Sequence, residues 1–344
     1  MTANKRYRAG VIGAGAIAQA CHVPGYVKHA RAELVAFSDP TKARHKEMAE
    51  LAPGAKGYTD HEAMLREAEL DVVSVCAPNA LHAPISIAAL KEGCHVLCEK
   101  PMAITLAEAD KMIAAAKAAR KKLMIGFTQR MLAGPLACKE LLSKKALGKI
   151  FSIRVRVAHG GPLAGWAKDK WFYDPAQAAG GALLDLGIHA LDQCFWLVGP
   201  ATAVWAKTQT FAKKTEVDDN ALIMLEFVNG ALGSIEVGWT SKPGFNGIEI
   251  YGLKGSLICD FNRGVYLCGG TASAGQDGVA EWSTIQKNPT KGGWDVEIDH
   301  WMDVVTGKTR LTMDGEAGRA ALEAALAAYK SSRTGKRVAL TRPG

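Results

Sequence analysis

Residues 185–192 read DLGIHALD, which sets Asp185, His189 and Asp192 among Leu184, Leu186, Ile188 and Leu191. On a helix, positions three and four apart share a face, so the three ionisable groups form one polar stripe. A carboxylate one turn before a histidine can orient the imidazole and favour its protonated form, which is how a general acid/base is built. The same spacing also serves a structural hydrogen bond or a solvated face, so this stretch alone leaves both readings open. Two further groups could do chemistry. In CEKP, Glu99 and Lys100 combine a carboxylate with a cation that can act as a fixed charge or, when burial lowers its pKa, as a base. In VIGAGAIAQA, Gly13, Gly15 and Ala18 make a G-x-G-x-x-A fingerprint with Ala16 and Ile17 between them. Gly13 permits the tight turn, Gly15 lets a pyrophosphate approach the backbone at a helix start, and Ala18 is small enough for close helix packing.

The elements around these residues suit dinucleotide binding. From the start to about Phe127 the chain alternates β-rich runs (YRAGVIG, AELVAFSD, DVVSVCAP, CHVLCEK, KLMIGF) with helical ones, the pattern of a doubly wound parallel sheet. Thr105 and Glu108 form a capping box at the start of the Ala-rich helix. The fingerprint falls between the first strand and its helix. Asp39 ends the second run, where a carboxylate accepts hydrogen bonds from the adenosine ribose hydroxyls and repels a 2′-phosphate, so NAD is favoured; Lys42 and Arg44 keep NADP possible. In CAPNALHA, Asn79 and His82 follow a turn proline at the carboxyl edge of the sheet. Asn79 is placed for the nicotinamide half of the cofactor, and His82 serves either as a contact or simply as a helix-start residue. Beyond residue 127 the texture changes to a helix near 135–143 and alternating strands KIFSIRVRVAH, ATAVWAKTQTF, NALIMLEFVNGALGSIEVGWT and IEIYGLKGSLICDF, with Asn229-Gly230 as a hairpin turn. The expectation is an α/β Rossmann domain, 1–127, followed by an α+β domain, 128–344, on a large and mainly antiparallel open sheet, ending in a helix at about 315–332.

Composition narrows the function classes. The chain has 344 residues, 48% hydrophobic and 22% charged, enough for two cores. The net charge of +8 is spread over short basic runs near element ends and accompanies no nucleic-acid motif, so no nucleic-acid partner is expected. The eight cysteines contain no CxxC pair; alternation along a strand sends His95 to the face opposite Cys94 and Cys98, and no metal site is expected. Reduced thiols point to the cytoplasm, and no run reaches the length of a membrane span.

Taken together, GAGAIA, SDP, APNALH, CEKP, GGALLDLGIHALD and IEIYGLKGSL resemble the Gfo/Idh/MocA oxidoreductases over nearly the whole chain. The resemblance implies NAD- or NADP-dependent oxidation or reduction of sugars, inositols and their derivatives, and a C-terminal sheet that mediates homodimer or homotetramer contacts. It maps the family's EKP lysine onto Lys100 and its helix Asp and His onto Asp185 and His189, standing around the substrate carbon. Two departures, Cys94 where the family often has Lys and Ala18 for the third glycine, leave the match standing. Arg156, His159, Trp166, Lys168, Trp171 and Tyr173 are candidates to line the pocket, where rings stack on sugar C–H faces and cations meet phosphate or carboxylate, with core or interface the alternative for some of them, and Gln129 and Arg130 are hinge or pocket candidates. Asp192 reads as a structural partner. Two alternatives stay open: an NAD-requiring glycoside hydrolase that oxidises its sugar transiently, and a dinucleotide-sensing regulator without catalysis. Paired binding measurements with NAD and NADP test the reading of Asp39: NAD binds more tightly, and tight NADP binding with negligible NAD binding overturns it.

Overall fold

The computed structural model describes residues 5–162, 170–212, 215–269 and 281–341. Contacts divide the chain into two units, 1–128 with 176–179 and 294–322, and 129–175 with 180–293 and 323–344. The division follows packing, not chain order. Helix Trp294–Thr306 and the first turns of helix Gly315–Thr334 are counted with the first unit, whereas the sequence reading gives all of 128–344 to the second domain.

In the first unit six strands, β1 (Tyr7–Ile12), β2 (Ala32–Ser38), β3 (Lys56–Tyr58), β4 (Val72–Val75), β5 (His95–Cys98) and β6 (Leu123–Ile125), pair in the order β3-β2-β1-β4-β5-β6. Every pairing is parallel. This is the doubly wound order whose halves diverge from β1. The central strands are apolar at successive positions because helices cover both faces: Ala9, Val11, Val72, Val73 and Val75 are all fully buried. The short β3, which no apolar run announces, borders β2 through Ala36 to Ser38. Thr105 accepts from the Glu108 N–H and Glu108 from the Thr105 N–H, at 3.2 and 3.1 Å, completing the expected capping box.

The second unit holds a nine-stranded sheet. Its strands are β7 (Ile150–Ala158), β8 (Ala201–Gln209), β9 (Asn220–Phe227), β10 (Leu232–Gly238), β11 (Gly247–Gly252), β12 (Gly255–Asp260), β13 (Gly264–Gly269), β14 (Ser283–Gln286) and β15 (Val338–Ala339), in the order β14-β13-β12-β11-β7-β10-β9-β8-β15. Only β7 and β10 run parallel, and Asn229-Gly230 turns β9 into β10 as expected. One face is apolar and covered: Ile153 and Val155 on β7 and Ile235 and Val237 on β10 are buried, and helix Ile188–Val198 packs over these strands. On the opposite face Leu222, Met224 and Leu232 are exposed. A buried ion pair fixes the covering helix: Arg130 donates from Nε to Asp192 Oδ2 at 2.7 Å and from a terminal nitrogen to Oδ1 at 2.5 Å, with Trp196 beside the guanidinium. Burial pushes the Asp192 carboxyl up to about 6 against the pull of Arg130. Replacing Arg130 with leucine leaves that carboxylate buried and unpaired and should cost about 3–5 kcal/mol in urea unfolding, whereas an apolar pair at both positions should cost far less.

Candidate active site

In the first unit the candidate residues gather at the carboxyl ends of β1, β2, β4 and β5. Gly13 follows β1 and is wedged between the ends of its neighbours: its N–H donates to Ser38 O at 2.8 Å, and a Cβ on it would lie 2.6 Å from the Cys76 carbonyl. Its φ of +88° independently requires glycine. The Asp39 carboxylate accepts from the Ala14 N–H at 2.9 Å and the Thr41 N–H at 2.8 Å, which locks it against the glycine turn. Ala16 is exposed and Gly15 and Ile17 partly so, leaving the turn's backbone open. This small-residue turn beside an oriented carboxylate fits a dinucleotide: Gly13, Gly15, Ala16 and Ile17 would take the pyrophosphate and Asp39 the ribose. Asn79 is buried and donates to Ala178 O at 2.8 Å. Both ring nitrogens of His82 meet carbonyls, Pro101 O at 2.7 Å and Ala77 O at 2.8 Å, so this residue braces the turns after β4 and β5 against each other.

Glu99 and Lys100 follow β5, and the Lys100 peptide N–H donates to Glu99 Oε2 at 3.2 Å. Behind Glu99 lies a buried cluster. His22 Nε2 stands 3.1 Å from Glu99 Oε1 and its Nδ1 3.0 Å from Ser74 Oγ, which meets Tyr26 OH at 2.9 Å. Glu297 accepts from Thr128 Oγ1 at 2.8 Å and from Cys21 Sγ at 3.5 Å. Burial opposes an imidazolium at His22, but its contacts with Cys76 and the Glu99 carboxylate outweigh it and hold the ring well above its usual pKa. Burial also opposes charge on Glu99, yet pairing with His22 keeps it below the usual carboxylate range. Burial, with the Glu99 charge added, pushes Glu297 up to about 7. Ligand atoms of Cys21, His22 and Glu297 lie within 4.8 Å of one another, close enough to raise the question of a metal. Each donor, however, already has hydrogen-bond partners, and the cluster is satisfied as a protonic network. Neither His22 nor Glu297 was singled out in the sequence. The available signal was a glutamate on the face of a helix that carries Ile298, Trp301, Met302 and Val305 into the core.

In the second unit Asp185 sits in a π-helical turn, Leu183–Gly187, that runs into helix Ile188–Val198. The wider turn changes the phase of the expected stripe. The Asp185 carboxylate accepts from Trp239 Nε1 at 3.1 Å, His189 is buried one turn later, and Asp192 is drawn to Arg130. Asp218 pins the start of the turn: its carboxylate accepts from the Gly181 and Leu183 N–H groups, each at 2.8 Å, and from Tyr329 OH at 2.6 Å. Gly181 is obligatory there, since a Cβ would lie 1.7 Å from Asp218 O. Trp239, fully buried just past the end of β10, is the partner of Asp185 that no sequence pattern revealed. Arg156, expected in the pocket, departs from that expectation. Its neighbours Val155 and Val157 face the helix, so strand alternation sends Arg156 to the open face, where it binds Glu236 Oε1 at 2.7 Å and Phe245 O at 2.5 Å. His159 Nδ1 accepts from the Gly161 N–H at 2.8 Å, and Trp171 stacks on Phe172 at 4.0 Å. Gln129 keeps a buried side-chain oxygen without a hydrogen-bond partner among the described residues. Trp166 and Lys168 lie outside the described residues.

Comparison with known proteins matches both units. Residues 7–127 fit the model of the oxidoreductase family with an NAD-binding Rossmann fold, and residues 136–258 that of the GFO/IDH/MocA C-terminal domain. The chain is 28% identical to the D-glucoside 3-dehydrogenase of Escherichia coli K12 over 97% of both proteins. It is 31% identical to the myo-inositol 2-dehydrogenase of Thermotoga maritima over 74% of this chain and 75% of that one. Among solved structures, the WlbA dehydrogenase of Bordetella pertussis in complex with NADH and UDP-GlcNAcA superposes with a TM-score of 0.84 at 27% identity, covering 98% of this chain and 99% of that one. With its glycine turn, its Asp39 and its two matched domains, the chain belongs to the Gfo/Idh/MocA family of NAD-binding oxidoreductases.

Proposed function

We propose that this protein transfers a hydride between NAD and a secondary alcohol or ketone of a sugar, polyol or sugar derivative, with Lys100, Asp185 and His189 handling the proton. The observation that carries this reading is the joint presence of these three side chains in a chain whose two domains both match the family. Relatives named for glucosides and inositol, and a neighbour solved with a nucleotide sugar, support a carbohydrate-like substrate. NAD, when bound, supplies the hydride acceptor. His189 accepts the hydroxyl proton as the C–H bond breaks, and Asp185, itself held by Trp239, orients and stabilises the imidazolium that forms. Lys100 stabilises the developing alkoxide as a cation, or takes the proton itself. Asp39 in contact with the glycine turn favours NAD over NADP. Gln129, His159 and Trp171 are the described residues proposed to contact substrate.

The open face of the nine-stranded sheet supports a homo-oligomer. Leu222, Met224 and Leu232 are 62%, 58% and 60% exposed there on adjacent strands, the mark of an interaction surface. The free cysteines support a reducing compartment such as the cytoplasm. No helix among the described residues is long and apolar enough to cross a membrane.

NADH formation across a panel of inositols, aldoses, anhydrosugars and nucleotide sugars identifies the substrate. His189→Ala and Lys100→Ala should each lower kcat about a hundredfold or more. Full activity in both variants sinks the mechanism, and aglycone release without net NADH moves the protein to glycoside hydrolysis. Met224→Glu combined with Leu232→Glu should yield a smaller species in light scattering; an unchanged mass removes the open face from the assembly.

A further inference from the structure

Asp39 has a companion carboxylate tied to the glycine turn. Gln19 grips that turn twice: its peptide N–H donates to Gly15 O at 3.1 Å, and its side-chain amide donates to Ala14 O at 2.9 Å. The amide's other hydrogen goes to Glu47 Oε2 at 2.7 Å, on helix Lys42–Leu51. The same carboxylate oxygen accepts from the Arg44 guanidinium at 3.1 Å. Arg44 in turn donates its peptide N–H to Thr41 O at 2.9 Å, and Thr41 donates its own to Asp39 Oδ1 at 2.8 Å. Asp39 Oδ2 closes the circuit on the Ala14 N–H at 2.9 Å. Ala14, Gln19, Glu47, Arg44, Thr41 and Asp39 thus form one closed ring of hydrogen bonds, which contains two carboxylates and a guanidinium.

Helix spacing explains part of this ring. Arg44 and Glu47 stand three positions apart on one helix, with side chains 22% and 49% exposed, and a pair of that kind adds little to stability. The bond from Gln19 comes from a different helix, and it anchors the pair to the fingerprint itself. We infer that Glu47 is a specificity-determining residue for the cofactor: it holds the Arg44 guanidinium at the glycine turn and so withholds from a 2′-phosphate the cation that would recognise it. This rests on the reading of Asp39 as the carboxylate that takes the adenosine ribose. A phosphate on that ribose brings close to two negative charges and is met best by the planar fork of an arginine. An arginine already bound to a carboxylate must break that pair first, whereas the neutral hydroxyls of NAD ask nothing of it. The neighbouring basic residues are weaker candidates for the same task. His45 donates from Nε2 to the Asp39 carbonyl at 2.7 Å and packs edge-on against Phe37, so its ring is turned to the protein. Lys42 opens the helix at the exposed surface with a strongly hydrated ammonium that lacks the fork.

The test is a binding measurement on the full-length chain, with no substrate and no turnover. Displacement of bound NADH by NAD and by NADP, followed through nicotinamide fluorescence, gives the ratio of the two dissociation constants. Glu47→Gln keeps the size of the side chain and an oxygen that accepts from Gln19, and removes the charge that holds Arg44. It should shift the ratio toward NADP by about tenfold, the scale of one hydrogen bond to a charged group. Raising the salt concentration should shrink that gain, because charge carries it. Adding Arg44→Ala to Glu47→Gln should return the ratio to within about a factor of two to three of the unaltered protein, whereas adding Lys42→Ala should leave most of the gain in place. An unchanged ratio in Glu47→Gln overturns the inference, as does a gain that survives the loss of Arg44. Tighter binding of NADP than of NAD by the unaltered chain overturns the reading of Asp39 and this inference with it. A preference for NAD that Glu47→Gln leaves untouched overturns this inference alone.

Discussion

Parallel pairing makes every strand of a sheet end at the same edge, and the chemistry of the first unit depends on that constraint. β1 lies between β2 and β4, so the turn after β1 is squeezed by the chain leaving both neighbours. Gly13 is the answer to that squeeze: any side chain would strike the Cys76 carbonyl. Once the turn is that tight, Asp39 can reach the Ala14 N–H, and the carboxylate is oriented before any cofactor arrives. The same edge collects Asn79, Glu99 and Lys100, contributed by strands that are neighbours in space although their residues are widely separated in the chain.

Two helices begin with a π-helical turn, Ala18–His22 in the first unit and Leu183–Gly187 in the second. Such a turn admits an extra residue without breaking the helix and re-aims the side chains that follow. In the first unit it delivers His22 to Glu99; in the second it delivers Asp185 to Trp239 while Asp192, one turn past His189, is claimed by Arg130. The polar stripe that looks continuous in DLGIHALD is therefore divided between an anchor and a candidate proton carrier.

Local signals carried most of the fold. The glycine fingerprint, the βα alternation, the Thr105–Glu108 capping box and the Asn229-Gly230 hairpin depend on residues a few positions apart, and each forms as its pattern indicates. What escaped notice depends on partners far apart in the chain: His22 with Glu99, Thr128 with Glu297, Arg130 with Asp192, Asp185 with Trp239. A single sequence carries no record of such pairings, because either member alone looks like an isolated polar residue in an apolar stretch. Arg156 was misplaced for a different reason. The period of a strand tells which residues share a face, but not which face the covering helix will take.

The first unit is finished by residues from the other end of the chain. All six strands of the parallel sheet lie before residue 126, yet Glu297 and the helix that buries it are made some 170 residues later. During synthesis the sheet emerges first and must wait, with the Cys21 and Thr128 partners of Glu297 not yet joined by it, while eight of the nine strands of the second sheet are translated. At about 5–20 residues per second that interval lasts roughly ten to thirty seconds. Completion of the nucleotide-binding half is thereby tied to the arrival of residues 294–322, which are made only after eight strands of the other sheet.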